Sequence, residues 1–411
     1  MNYLFYLEPY TFLFRSRSMS VVYNTLNSAY IVCPNHPTVQ HILTQWEDAT
    51  NGYRTELNEE TLKDETVRLF VNNVRDTFSG DCVELAKEHP KPYIFKPTLF
   101  LNTDIRIKEE QNKVSLGERI LQNLHEVTLF FSSSCMQNCA ACSSYYQQMN
   151  HCTVCHEDVL KIEDYTRLLH QLQICGIQRV DLLAGGNPLL NSYIRKLSLE
   201  FSESTFKKHL YLEYNFLNDE YIKFAQQTNS ILEISVHPED LGNQLVDCMW
   251  KYHFDIVRWN LIVSAETDME QLENLNLPEG ASIKVQPFYT GSNYAFFRDF
   301  VFSDLEDILA VPIDRKTIFR HKVLNDNFFG KLTVFPSGEV FANVNCPALG
   351  NIQESSLKEL VYKELTEQDV WLRVRSKEKP CKQCINKDLC PSISNYELVI
   401  GKNNLCNIQP E

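Results

Sequence analysis

Residues 126–142 read EVTLFFSSSCMQNCAAC. An apolar run of strand character gives way to three serines and then to Cys135, Cys139 and Cys142 at CxxxCxxC spacing. That order bears on the fold. In α/β proteins the loops leaving the carboxyl ends of parallel strands carry the site, and this cysteine trio follows its strand directly.

Outward from this stretch the chain alternates. Strand-like segments are RVDLLAGG (179–186), HLYLEYN (209–215), ILEISVHP (231–238), DIVRWNLIVSA (255–265) and SIKVQPFY (282–289). Between them KIEDYTRLLHQLQICG, SYIRKLSLEFSE, NDEYIKFAQQTN, LGNQLVDCMWKYH and DMEQLENL carry apolar residues at helical spacing. Five successive strand-then-helix units predict a parallel sheet, curved into a partial, TIM-like (β/α)6 barrel. After about residue 290 the rhythm stops. Residues 330–352 read as a hairpin turning at Pro336-Ser337-Gly338, SSLKELVYKELTEQDVWLRVRS (355–376) as helix, and the tail as cysteine-dense coil. Before about residue 115 a strand or hairpin (MNYLFYLEPYTFLF), a second hairpin (19–33, turning near Asn27-Ser28) and two helical stretches, the second opening on Asn58, predict a small α+β module of winged-helix type.

Composition narrows the function. The 411 residues are 44% hydrophobic and carry a net charge of −14. An acidic surface repels phosphate backbones, so nucleic acid is excluded as the main partner. No stretch has the apolar length of a membrane span, and the N-terminus lacks the basic and small-residue marks of a signal peptide. The expectation is a cytoplasmic protein without a membrane partner, in a compartment that keeps thiols reduced. There, 14 cysteines point to metal more than to disulfides. Cys33, Cys82, Cys175 and Cys248 stand alone and read as small buried hydrophobes. The other ten gather at 135–155 and 346–406.

Two readings of the first group stand on the residues. Three thiolates on a loop can hold a [4Fe–4S] cube and leave one iron open, as catalytic metal sites keep a free position. Alternatively Cys139, Cys142, Cys152 and Cys155 form CxxC-x9-CxxC, a spacing suited to tetrahedral zinc, with Cys135 spare. On the first reading the roles of Cys152 and Cys155 are unassigned. His151, His156 and His237 read as ordinary surface or core histidines, and the aromatic run PFYTGSNYAFF (287–297) reads equally as groove lining or core.

The CMQNCAAC loop after one strand and LLAGGNPLL (182–190) after the next resemble radical SAM enzymes, the second being similar to that family's GGEP segment. The resemblance implies a [4Fe–4S] cluster on Cys135, Cys139 and Cys142, with S-adenosylmethionine on the open iron. Reductive cleavage of that cofactor would give a 5′-deoxyadenosyl radical that removes a hydrogen atom. It implies cofactor-binding roles for Gly185, Gly186, Asn187 and Ser235, the last in EISVHP, and Asn215 is a further aligned position. No catalytic residue beyond the cluster cysteines is implied. Two positions depart from the family pattern: Ala141 stands where an aromatic is usual, and Asn187 where the acid of GGEP falls. A neutral hydrogen bond contributes about 1 kcal/mol against about 1.5–3 for a charged one, so roughly tenfold weaker cofactor binding is expected.

VFPSGEVFANVNCPALGNIQESSLKEL (334–360) and CKQCINKDLC (381–390) resemble the SPASM extension of peptide-modifying members of that family. This implies that Cys346, Cys381, Cys384, Cys390 and Cys406 supply an auxiliary iron–sulfur cluster, with Cys346 or Cys406 completing four, or else a zinc knuckle. The next cysteine of the pattern would fall at Ser394. The expected organisation is a winged-helix-like recognition or capping module (1–115), a radical SAM-like partial barrel (116–295) and a SPASM-like extension (296–411). The expected function is maturation of a ribosomally made precursor peptide. The alternative is a catalytically inactive pseudo-radical-SAM protein that binds the precursor peptide or a companion radical SAM enzyme and keeps metal for structure only.

Overall fold

Apolar residues at alternate positions make Asn2–Leu7 (β1) the centre of an antiparallel sheet. The next strands, Thr11–Arg15 (β2), Ser20–Asn24 (β3) and Tyr30–Val32 (β4), form a separate meander whose turn carries Ser28 in the left-handed region, φ 60°. The second hairpin is therefore as expected, but β1 and β2 do not pair with each other. Pro37–Glu47 (α1) has proline in its first turn. Arg54–Asn58 (β5) pairs with β1. The Asn58 side chain then caps Glu59–Lys63 (α2), and Asp64 caps Glu65–Asp76 (α3). Gly80–Glu84 (β6) closes this sheet on the other side of β1. Phe5, Trp46 and Phe70 stack beneath it, with Phe5 and Trp46 centroids 4.7 Å apart. The computed structural model describes residues 1–48, 51–85, 120–132, 142–151 and 160–408.

The alternating segments fold into one parallel sheet. Glu126–Phe130 (β7) is followed by the helices Cys142–Gln148 (α4) and Ile162–Cys175 (α5), then Arg179–Leu183 (β8). Ser192–Glu200 (α6), Lys207–Glu213 (β9), Asp219–Gln227 (α7), Ser230–Val236 (β10), Asn243–Lys251 (α8), Val257–Val263 (β11), Glu266–Glu273 (α9) and Ser282–Pro287 (β12) continue the repeat. The strands lie in sequence order, β7 to β12, each parallel to the next. Such one-way winding places the crossover helices on one face. Val127, Val180, Leu210, Leu232 and Trp259 are buried on that face with Leu168, Leu172, Ile194, Ala225 and Leu245 of the helices. The intervening residues point to the other face and are largely polar, among them Thr128, Arg179, Tyr211, Glu233, Asn260 and Lys284, around a cavity of 580 Å³. A sheet covered by helices on both sides would read as continuous apolar runs. This alternation, with one helix layer and one hollow polar face, is that of a partial barrel wall.

Three short helices follow, Tyr294–Phe300 (α10), Leu305–Ala310 (α11) and Arg315–Val323 (α12). Lys331–Val334 (β13) and Glu339–Phe341 (β14) form the expected hairpin, and Gly350–Asn351 (β15) extends it. The sequence does not announce that β13 pairs parallel with β7, so that this hairpin continues the barrel sheet. The Gly330 carbonyl accepts both His125 N–H and Glu126 N–H and sets that register. Gly330 has φ +75°, and a Cβ there would stand 2.5 Å from the Asn123 carbonyl oxygen. The long helix expected over 355–376 is shorter. Leu357–Lys363 (α13) passes into a π-type turn, Glu364–Gln368, and stops at Asp369, φ 60°. Buried Glu364 takes the Trp371 N–H at 2.6 Å, which turns the chain back onto the core. Asn395–Ile400 (α14) is capped by a reciprocal Ser394–Glu397 pair. Phe12, Phe14, Val21 and Tyr23 of the meander pack on Ile308, Ile313, Ile318, Ile385 and Leu389. Among the described residues no helix is long and apolar enough to cross a membrane.

Candidate functional site

The hollow face of the sheet carries two polar layers. Deep in it, Arg179 Nε donates to Asp181 at 2.7 Å and Arg179 Nη2 donates to the Tyr211 hydroxyl at 2.7 Å, while Asn150 bonds Asp181 from above. His209 Nδ1 lies 2.7 Å from Glu233, which also accepts from Asn260 at 3.0 Å. Burial pushes the Asp181 carboxyl up against the pull of Arg179, and pushes the Tyr211 hydroxyl well above its usual value. Burial also acts to raise Glu233, but the bonds from His209 and Asn260 outweigh it and hold that carboxyl low. Every one of these groups has a partner, so the layer braces the strands.

The second layer lies at the carboxyl ends of the strands. Gly185, Gly186 and Asn187 leave β8, with Gly185 at φ 67°. Only glycine takes that conformation without strain. The Gly186 carbonyl accepts the N–H of Glu213, the last residue of β9, at 2.9 Å. Ser235 is the last residue but one of β10, and His237 follows the strand directly. His151 comes from the chain just beyond α4. The three side chains His151, Glu213 and His237 are 2%, 3% and 6% exposed. His151 Nε2 stands 3.0 Å from Glu213 Oε1 and His237 Nε2 3.1 Å from Oε2. Neither contact has hydrogen-bond geometry, so both Nε2 atoms are buried without a hydrogen-bond partner. The Nδ1 atoms are engaged, His151 with Ser235 Oγ at 3.0 Å and His237 with the Tyr145 hydroxyl at 3.2 Å. Tyr145 in turn stacks on Phe288, centroids 4.1 Å apart.

Of the residues singled out in the sequence, Gly185, Gly186, Asn187 and Ser235 come together at this mouth. Asn187 accepts a short hydrogen bond from the Tyr221 hydroxyl, and Ser235 is held by His151. Asn215 is exposed. Cys135, Cys139, Cys152 and Cys155 lie outside the described residues, and Cys142 opens α4. In the aromatic run 287–297, Phe288, Phe296 and Phe297 are buried, Tyr289 and Tyr294 are half-buried, and Pro287 lines the cavity. Sequence reasoning passed over Glu213 and set the two histidines aside. The available signal was position, since Glu213 and His237 each stand at the carboxyl end of a strand in a fold that puts its site there.

Cys381, Cys384, Cys390 and Cys406 line one cavity of 200 Å³ near the chain's end, and Ser394 lines it too. Arg375, paired with Glu397 at 2.8 Å, reaches in to donate to Cys381 Sγ at 3.6 Å. Burial pushes the Cys390 thiol up to about 12, and raises Cys381 and Cys384. Cys346 does not line this cavity; it packs at the edge of the main core. No three of the described cysteine sulfurs lie mutually within 4.8 Å. Sulfurs about 2.3 Å from a shared zinc ion would stand roughly 3.8 Å apart, so the quartet lines a space wider than a closed tetrahedral site.

No protein-family model matches the chain. No curated protein matches it. Among solved structures it is similar to Streptococcus suis SuiB, at 13% identity over 98% of this chain and 100% of that one, TM-score 0.40. The same protein bound to its precursor peptide SuiA matches at 15% identity over 98% and 100%, TM-score 0.40. The structure named anSMEcpe with bound AdoMet matches at 16% identity over 65% of this chain and 84% of that one, TM-score 0.43.

Proposed function

We propose that this chain is a radical SAM/SPASM-type protein that acts in the maturation of a ribosomally synthesised peptide. The observation that carries the reading is the pairing of β7 with β8. It sets Phe131, whose N–H donates to the Leu183 carbonyl at 2.8 Å, at the same end of a sequentially wound parallel sheet as Gly185-Gly186-Asn187, and the CxxxCxxC sequence follows Phe131 within a few residues. On this reading Cys135, Cys139 and Cys142 hold a [4Fe–4S] cluster, which with S-adenosylmethionine supplies one-electron reductive cleavage of a sulfonium bond. Gly185 and Gly186 allow close backbone approach, Asn187 takes the cofactor's ammonium on its amide oxygen, and Ser235 bonds its polar groups. The concave layer around Arg179, Asp181 and Glu233 keeps the strand ends fixed. Residues 1–115 serve as a winged-helix-like reader of the precursor peptide and 116–295 as the barrel. In the SPASM-like extension, 296–411, the cavity lined by Cys381, Cys384, Cys390 and Cys406 is the place for an auxiliary cluster, with Cys346 apart from it.

A second reading is favoured by one observation: Asn187 and Ser235, the two side chains meant for the cofactor, are both engaged within the protein, by Tyr221 and His151. On it the chain is a catalytically silent pseudo-radical-SAM partner that binds precursor peptide or an active companion enzyme. Anaerobic purification and reconstitution separate the two. The enzyme reading expects iron and acid-labile sulfide in equal amounts, and 5′-deoxyadenosine from S-adenosylmethionine after reduction. A reconstituted protein with neither iron nor sulfide and no such product, whatever its zinc content, overturns it.

A further inference from the structure

From the buried trio at the barrel mouth we infer that His151, Glu213 and His237 form a binding site for a divalent transition-metal ion of zinc type, separate from every cysteine. The inference does not rest on the proposed function.

Three features of the trio converge. The first is direction. Were the imidazoles cations paired with Glu213, their Nε2–H bonds would aim at its oxygens. Instead the nitrogens stand 3.0 and 3.1 Å from Oε1 and Oε2 without hydrogen-bond geometry. Ligand atoms about 2.0–2.1 Å from a tetrahedral zinc ion stand roughly 3.3 Å apart, and each carboxylate oxygen stands near that distance from one of the two imidazole nitrogens. One ligand atom from each of the three residues lies within 4.8 Å of the others, and no other such group gathers among the described residues.

The second feature is tautomer control. Metal-binding histidines donate their other ring N–H to a fixed acceptor, which frees the ligating lone pair. Protonation at Nδ1 lets His151 donate to Ser235 Oγ and His237 to the Tyr145 hydroxyl. Both Nε2 lone pairs are then free for an ion beside Glu213. Tyr145 is itself fixed by its stack on Phe288 and by the edge-on His237 ring, 5.3 Å away.

The third is cost. A nearly buried carboxylate and two buried, unpartnered nitrogens each carry a desolvation penalty. A divalent ion on all three removes the penalty at once. Two imidazoles and one carboxylate also leave a fourth position, as in zinc sites that keep one for water or substrate. Glu213 is anchored for this by its own N–H on the Gly186 carbonyl. An ion here keeps Ser235 on His151.

The test uses the intact chain, prepared metal-free and titrated with Co2+ as the probe. Thiolate ligands give cobalt an intense near-ultraviolet charge-transfer absorption; imidazole and carboxylate ligands give only visible d–d bands. One equivalent bound with d–d bands and without the charge-transfer band, displaced by Zn2+, is expected. His237→Asn and Glu213→Gln each weaken that binding at least 100-fold, while any thiolate-type signal from the cysteines is unchanged. Because these residues are buried, X-ray absorption at the zinc edge of the wild-type protein provides a second reading, with nitrogen and oxygen neighbours at about 2.0–2.1 Å expected. Cobalt and zinc bound only with sulfur ligands, or no sulfur-free equivalent bound, overturns the site.

Discussion

Tyr221 donates its hydroxyl proton to Asn187 and accepts the Leu189 N–H at 3.3 Å on the same oxygen. Replacing it by phenylalanine therefore does two things. It leaves the buried Leu189 N–H unpartnered, which costs about 1–2 kcal/mol of stability, and it frees the Asn187 amide oxygen. If the mouth takes S-adenosylmethionine, Tyr221→Phe binds it several-fold more tightly in equilibrium dialysis although the protein melts earlier; unchanged or weaker cofactor binding counts against Asn187 as a cofactor group. Residues of this kind were unevenly legible. Gly185, Gly186, Asn187 and Ser235 could be read because each lies in a short contiguous segment after a strand. The His151–Glu213–His237 trio could not, because its members come from three segments and only the pairing of β9 with β10 joins two of them. The cysteine quartet was half legible: spacing gives Cys381, Cys384 and Cys390, but the choice of Cys406 over Cys346 as their neighbour is made by the path of the tail.

Among the elements, the six parallel strands and their helices were readable because each buries one face and so keeps its period. β13 was not, because four residues fix no partner; the Gly330 carbonyl and the Trp371 Nε1–H bond to the Lys331 carbonyl, at 2.9 Å, assign one. The turn at Glu364–Gln368 defeated helical periodicity for a different reason. Burial pushes the Glu364 carboxyl from 4.5 up to about 7, and its Oε2 has no hydrogen-bond partner. A carboxyl raised on folding favours the folded state fully below pH 4.5, and that contribution is lost as pH rises through 7, by about 3 kcal/mol. Urea unfolding of the wild type is therefore expected to show falling stability from pH 5 to pH 8. Glu364→Gln keeps an acceptor for the Trp371 N–H, removes the slope and is the more stable protein at pH 8. Parallel pH profiles for the two would remove Glu364 from this account.

At the scale of the whole molecule, the meander β2–β4 and the last hundred residues share one apolar layer, reinforced by Tyr30 donating to Asn386 at 3.0 Å and by the Ile313 N–H on the Tyr23 hydroxyl at 3.2 Å. Phe12→Ala empties the middle of that layer, where its ring meets Phe319 at 5.5 Å. It is expected to cost about 3–5 kcal/mol and, by hydrogen exchange, to speed exchange at 308–319 and 385–389 while the barrel strands stay protected. Equal acceleration in β8–β10 would mean that the layer is not a separate unit. Sequence could assign strands here but not this partnership, since nothing in the pattern of Phe12 and Phe14 names residues so far along the chain. The arrangement also orders events at the ribosome. Phe12 and Phe14 are made several hundred residues before their cover, Ile385 and Leu389. Until that cover is made this greasy patch has nothing from the chain's later part to lie against.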